Sequence, residues 1–178
     1  MRTHCVRITR LVNRRALSNP ATISVSIRRS HWSFPVSSPF ASVNHIGFVV
    51  RNLNEGISFF TEVLGFDAIL ERRGDLLPAG DVLSRRFGID PGAVGKYAFV
   101  RLGNTVIELL EWTAPDQNTI PPLNSDLGGR HLAINVTDIP AAIRLLESVE
   151  GVTVREPNDA GFIYCETPLG LEIQLIPA

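Results

Sequence analysis

Two carboxylates and two imidazoles occupy positions that packing alone would not choose. Glu108 is the centre of Val106-Ile107-Glu108-Leu109-Leu110, a run that reads as a buried β-strand, and Glu172 repeats the anomaly in Gly170-Leu171-Glu172-Ile173-Gln174-Leu175-Ile176. An unpaired carboxylate in such a place costs on the order of several kcal/mol, so it neutralises or finds a partner. Two further apolar strands each begin with a histidine, His45 before Ile46-Gly47-Phe48-Val49-Val50 and His131 before Leu132-Ala133-Ile134-Asn135-Val136. The chain has four histidines, and the other two lie within the first 42 residues. A single histidine on a strand is more often a hydrogen-bonded structural residue than a ligand. Two His and two Glu, each on its own strand, form a donor set for a divalent cation: hard oxygens with two imidazoles suit Zn, Ni, Co, Mn or Mg.

The elements that carry these residues are duplicated. Shifting the chain so that His45 falls on His131 brings Ile57 onto Ile143, Phe60 onto Leu146, Val63 onto Val149 and Gly65 onto Gly151, without a gap. Each copy reads strand, polar turn, amphipathic helix, glycine and then three strands. The helical spacing puts one apolar stripe on each helix, and Gly65 and Gly151 sit where a helix end wants positive φ. The later strands are read at Phe66–Arg72, Lys96–Leu102 and Thr105–Trp112 in the first copy. In the second they are Val152–Arg155, Gly161–Glu166 and Leu171–Ile176. The predicted class is α+β: two tandem β-α-β-β-β modules, about 43–113 and 129–177, whose mixed sheet cups a metal site. By this repeat, equivalent strands supply one His and one Glu per module. The first copy is longer because of Arg73–Gly95, expected to be a loop over the site with a short helix near Asp81–Phe87.

Composition bounds the rest. All eighteen acidic residues follow residue 54, whereas residues 1–42 hold seven arginines and no Asp, Glu or Lys. The acidic body lacks the basic face that nucleic acid requires. No apolar run is long enough for a membrane helix. Cys5 and Cys165 give neither a disulfide framework nor zinc spacing, which suits a reducing compartment. The Arg-rich, Ser-rich, acid-free leader 1–42 has the composition of a transit peptide with a mitochondrial destination. The alternatives are a disordered extension, or translation from a start codon placed too far upstream, on a cytoplasmic protein.

The β-α-β-β-β repeat, the His45-Ile-Gly opening, Val106-Ile-Glu-Leu-Leu, His131-Leu-Ala and Thr167-Pro-Leu-Gly-Leu-Glu172 together resemble the vicinal oxygen chelate superfamily. The resemblance spans residues 43–178. Its members include glyoxalase I, methylmalonyl-CoA epimerase, extradiol dioxygenases, fosfomycin-resistance transferases and bleomycin-binding proteins. It implies a metal held by His45, Glu108, His131 and Glu172, with Glu172 or Glu108 doubling as the catalytic base. The implied reaction removes a proton α to a carbonyl or thioester and passes through an enediolate, as in an isomerase or lyase of the epimerase or glyoxalase type. The implied partners are a small molecule with vicinal oxygens and a second copy of the chain in a homodimer. Phe99-Val-Arg-Leu-Gly-Asn-Thr-Val-Ile-Glu108 is similar to the matching segment of methylmalonyl-CoA epimerases, from which the long Arg73–Gly95 insert departs. Two other classes stay open: a non-haem iron extradiol-type dioxygenase, and a non-catalytic small-molecule binding protein.

Other residues have plainer readings. Glu111 is expected to face solvent, Cys165 to be a small core residue, and Arg85-Arg86 to lie on a solvated helix face. Tyr97, Phe99 and Arg101 alternate on one strand face and either line a substrate cup or pack in the core.

Overall fold

The computed structural model describes residues 39–76 and 80–178. The leader, with its proposed targeting role and Cys5, lies outside them apart from its last few residues. Strand β1 spans Ile46–Val49, helix α1 Leu53–Ser58, and β2 Asp67–Leu76. Next come α2 (Gly80–Phe87), β3 (Val94–Leu102), β4 (Thr105–Thr113) and β5 (His131–Val136). The chain closes with α3 (Ile139–Glu147), β6 (Thr153–Val154), β7 (Ile163–Glu166) and β8 (Glu172–Pro177).

The duplication holds at the level of topology. The strands make two four-stranded sheets, β1-β4-β3-β2 and β5-β8-β7-β6, the same order in both modules. In each, the first strand runs parallel to the last and the other pairs are antiparallel. The α+β class of two tandem β-α-β-β-β modules is thus what the chain adopts, each module contributing its own four-stranded mixed sheet. Alternation sets the faces: Phe48, Ala98, Val100, Ile107 and Leu109 are buried in the first module, and Leu132, Ile163, Cys165, Ile173 and Leu175 in the second. The opposite face carries His45, Gly47 and Glu108 in one module and His131, Glu172 and Gln174 in the other.

Local chemistry sets the helix ends. The Asn52 side chain accepts from the amides of Asn54 and Glu55, and Asp138 accepts from Ala141, so both helices start at a side-chain cap. Helix α1 continues into a π-helical turn over Phe59–Val63, with Leu64 N donating to Phe59 O at 3.1 Å. Both helix-ending glycines adopt positive φ, 73° at Gly65 and 78° at Gly151.

Three expectations need correction. The insert is less of a loop than its glycines suggest, because β2 runs on to Leu76 and β3 starts at Val94, leaving α2 to join a lengthened hairpin. Arg85 and Arg86 are exposed on that helix, as expected. The opening strand is shorter than its apolar pattern, so His45 immediately precedes β1. Glu111 does not simply face solvent. Its Oε2 accepts from Leu53 N at 2.7 Å, the first amide of α1, and Lys96 Nζ lies 3.8 Å from Oε1. A carboxylate from β4 thus sits at the positive end of the helix. Glu111→Ala should lower unfolding stability by about 1–2 kcal/mol in a urea melt, as removal of a helix cap does. A melt unchanged from wild type would show that solvent serves that amide equally well.

Candidate functional site

The first module brings its two sequence-identified residues together. His45 Nε2 lies 3.4 Å from Glu108 Oε2. In register terms Glu108 is opposite Gly47, two residues beyond His45, so the contact is diagonal across the parallel pair β1–β4. A Cβ on Gly47 would stand 3.6 Å from Glu108 Oε2, so the glycine leaves the carboxylate open on that side. Phe99, opposite Glu108 on β3, meets the His45 ring edge-on with centroids 5.3 Å apart. A break in the β2–β3 register between Ile69 and Arg73 lets Arg72 lay its guanidinium over the Phe99 ring at 3.7 Å. Alternation along β2 gave no hint of Arg72, because a bulge re-aims side chains. Of the β3 aromatics, Phe99 is buried under this pair and Tyr97 is half-buried, while Arg101 is exposed.

The second module repeats the arrangement with one substitution. His131 meets Tyr164 edge-on, again with centroids 5.3 Å apart. Tyr164 is opposite Gln174, as Phe99 is opposite Glu108. On the parallel pair, Ala133 is opposite Gln174, as Gly47 is opposite Glu108. The register therefore makes Gln174, and not Glu172, the counterpart of Glu108. Gln174 is buried, and its Nε2 donates to the Tyr164 hydroxyl at 3.0 Å, which leaves the amide oxygen as the free donor. Glu172 is one step earlier on the same face, directly opposite His131. Its carboxylate is taken by Arg155 on one oxygen and by the Asn124 amide on the other. Arg155 also grips Glu166 at 2.6 Å. The hydrogen bond to Glu166, reinforced by the charge of Glu172, raises the Arg155 guanidinium above its ordinary range against a smaller opposing effect of burial. Cys165, on the opposite face of β7, is fully buried, and desolvation pushes its thiol up to about 11.

Counting from the hairpins could not have found Gln174. The β3–β4 turn leaves two residues between Leu102 and Thr105, whereas β7–β8 leaves five between Glu166 and Glu172. The aromatic on the neighbouring strand was the usable signal.

Two donors that share a cation at about 2.0–2.2 Å lie roughly 3.0–3.5 Å apart. The His45–Glu108 separation fits that requirement without rearrangement. Among the described residues, no three His, Cys, Asp or Glu side chains gather closely enough to hold a cation between them. The structure thus presents one formed donor pair and, in the other module, a histidine with an amide oxygen at the related position. By chemistry the set suits a divalent cation.

The chain belongs to the glyoxalase/bleomycin resistance protein/dioxygenase superfamily, whose family model matches residues 42–175. It is 38% identical over 145 residues to a 2-epi-5-epi-valiolone epimerase from Actinomyces sp, an overlap of 76% of this chain and 78% of that protein. Among solved structures it resembles a glyoxalase family protein from Bacillus cereus, with a TM-score of 0.62 and 21% identity over 80% of this chain and 97% of the other. The trypanothione-dependent glyoxalase I of Leishmania major gives a TM-score of 0.54 at 20% identity, covering 78% of this chain and 87% of that one. These structural likenesses agree with the α+β architecture of paired mixed sheets. No helix among the described residues is long and apolar enough to cross a membrane.

Proposed function

We propose that the protein is a divalent-metal-dependent epimerase acting at a carbon beside a ketone in a polyhydroxylated small molecule. The observation that carries the reading is the His45–Glu108 pair at 3.4 Å together with its register-matched counterpart in the second module. The epimerase relative supports the reaction class, and its substrate name contains both an alcohol and a ketone.

In this reading His45, Glu108 and His131 hold the cation, and the fourth donor comes from β8. The sequence selects Glu172 for that role by its charge; the register favours the Gln174 oxygen. A bound divalent cation supplies Lewis acidity to the vicinal oxygens, which makes the intervening C–H more acidic. Every remaining task falls to the chain. Inversion requires a proton to leave one face of the carbon and another to arrive on the opposite face. Two carboxylates from the two related modules suit this, with Glu108 on one side and Glu172 on the other. His45 faces Glu108 Oε2, leaving Oε1 to take the proton. Arg155 and Asn124 orient the Glu172 carboxylate.

The fourth-donor assignment has a direct test in metal content measured by mass spectrometry. Gln174→Ala should weaken metal retention by about tenfold or more, and Glu172→Gln should leave it near wild type while stopping inversion. The opposite pattern would return Glu172 to the metal. The reaction class is tested in deuterated water with polyhydroxylated 2-hydroxyketones, where wild type should invert one carbon and place deuterium there. Absence of both inversion and exchange across such ketones would overturn the epimerase reading.

A further inference from the structure

We propose that Arg51 and Arg130 form an anion subsite that takes a phosphate monoester, placed at the end of the substrate remote from the reacting carbon. From residue 43 onward the chain carries eighteen acidic residues and only ten basic ones. Even so, Arg155 is the one arginine among the described residues that is ion-paired, so position and not the lack of a carboxylate singles out a pair of them. Arg51 and Arg130 have no carboxylate partner: the ion pairs of the described residues involve Lys96, Arg155 and His45 on the basic side. Both arginines line a cavity of about 750 Å³, and among the described residues they are the only charged ones in its wall. The wall also includes Gly47, Trp112, the linker around Gln117–Pro122, and Gly170. Arg130 contributes a buried Nε with no hydrogen-bond partner, and its Nη2 reaches only the Val49 carbonyl at 3.5 Å. A buried donor left unmade is costly, and a ligand oxygen would satisfy it.

The choice of a phosphate follows from the number of donors. One guanidinium fork satisfies both oxygens of a carboxylate, whereas two forks from different modules match the three free oxygens of a phosphate monoester. A neighbouring cavity of about 320 Å³ shares both arginines and adds Arg155, Glu166 and Glu172. There the two carboxylates are already held by Arg155, so they do not neutralise the pair. The larger cavity also touches the candidate centre, since Gly47 in its wall adjoins the Glu108 carboxylate. An anionic head at Arg51 and Arg130 would therefore leave the body of a small molecule pointing along β1 towards Glu108.

Assigning the phosphate to the substrate rests on the epimerase reading; binding of the anion does not. The experiment uses inorganic phosphate, titrated calorimetrically into the full chain with and without EDTA. Wild type should bind one phosphate per chain, equally in both conditions. Arg51→Gln should weaken binding by about fivefold or more, and the double variant with Arg130→Gln by about twentyfold or more. Arg144→Gln, an exposed change on α3, should bind as wild type does. Arg51 is exposed and its guanidinium makes no hydrogen bond among the described residues, so its single variant remains decisive if the double variant does not fold. Equal affinity in wild type and Arg51→Gln would overturn the subsite, as would phosphate binding that disappears with EDTA, which would place the anion on the cation. Phosphate bound at the arginines by a protein that exchanges no ketone would uphold the subsite and remove the epimerase reading alone.

Discussion

Glu108→Ala should reduce turnover by about a thousandfold or more and strip the protein of most of its bound metal. The residue is asked to do two things in the proposed centre, and alanine ends both. In the proposed reaction its Oε2, 3.4 Å from His45 Nε2, would share the cation and its other oxygen would receive the proton. Glu108→Gln separates the tasks, because an amide keeps an oxygen donor while losing the base. That variant should retain more metal than the alanine variant yet remain inactive in inversion. The fold should survive, since the side chain is 23% exposed and faces away from the apolar layer formed by Ile107 and Leu109. Substantial turnover by Glu108→Ala, measured as deuterium incorporation per unit time, would remove this residue from the reaction and leave the pair a structural contact.

A second large effect is expected far from the chemistry. Phe60→Ala should lower unfolding free energy by about 3–5 kcal/mol, read as a shift of the urea midpoint at constant slope. Phe60 has no exposed surface and packs edge-on against Phe66, with centroids 5.0 Å apart, and against Phe59 at 6.3 Å. It also lies in the π-helical turn over Phe59–Val63. Its repeat partner, Leu146, is likewise buried but is smaller and sits in an ordinary α-helix. A loss below about 1 kcal/mol for Phe60→Ala would mean that the turn relaxes to fill the space.

Much of this architecture is readable from residue types because duplication doubles each signal. One helix ending at glycine is a weak inference; Gly65 and Gly151 at matched positions, each closing an apolar stripe, are a strong one. The Glu108 anomaly was legible for a similar reason, since a charge between Ile107 and Leu109 has no packing explanation. What escaped was whatever depends on pairing across strands. Gln174 is chemically ordinary in a sequence, and only its position opposite Tyr164 and Ala133 marks it. Glu111 was misread because alternation reports a face and says nothing of what comes over that face. Here the start of α1 does, bringing Leu53 N to the carboxylate. Arg72 was invisible because the irregularity in β2 breaks the alternation that would have placed it.

The same irregular strand bears on how the molecule behaves when crowded. Among the described residues β2 is the outermost strand of its sheet, ten residues long, with β3 as its only hydrogen-bonded neighbour. A long, flat, apolar margin of that kind would offer a template on which other chains could stack and aggregate. Glu71, Arg72, Arg73 and Asp75 cluster along it, and its register against β3 breaks between Ile69 and Arg73, an irregularity of the kind that increases local twist. The displaced ladder that carries Arg72 onto Phe99 thus also acts as a guard, and straightening or neutralising it would trade solubility for fibrous self-assembly.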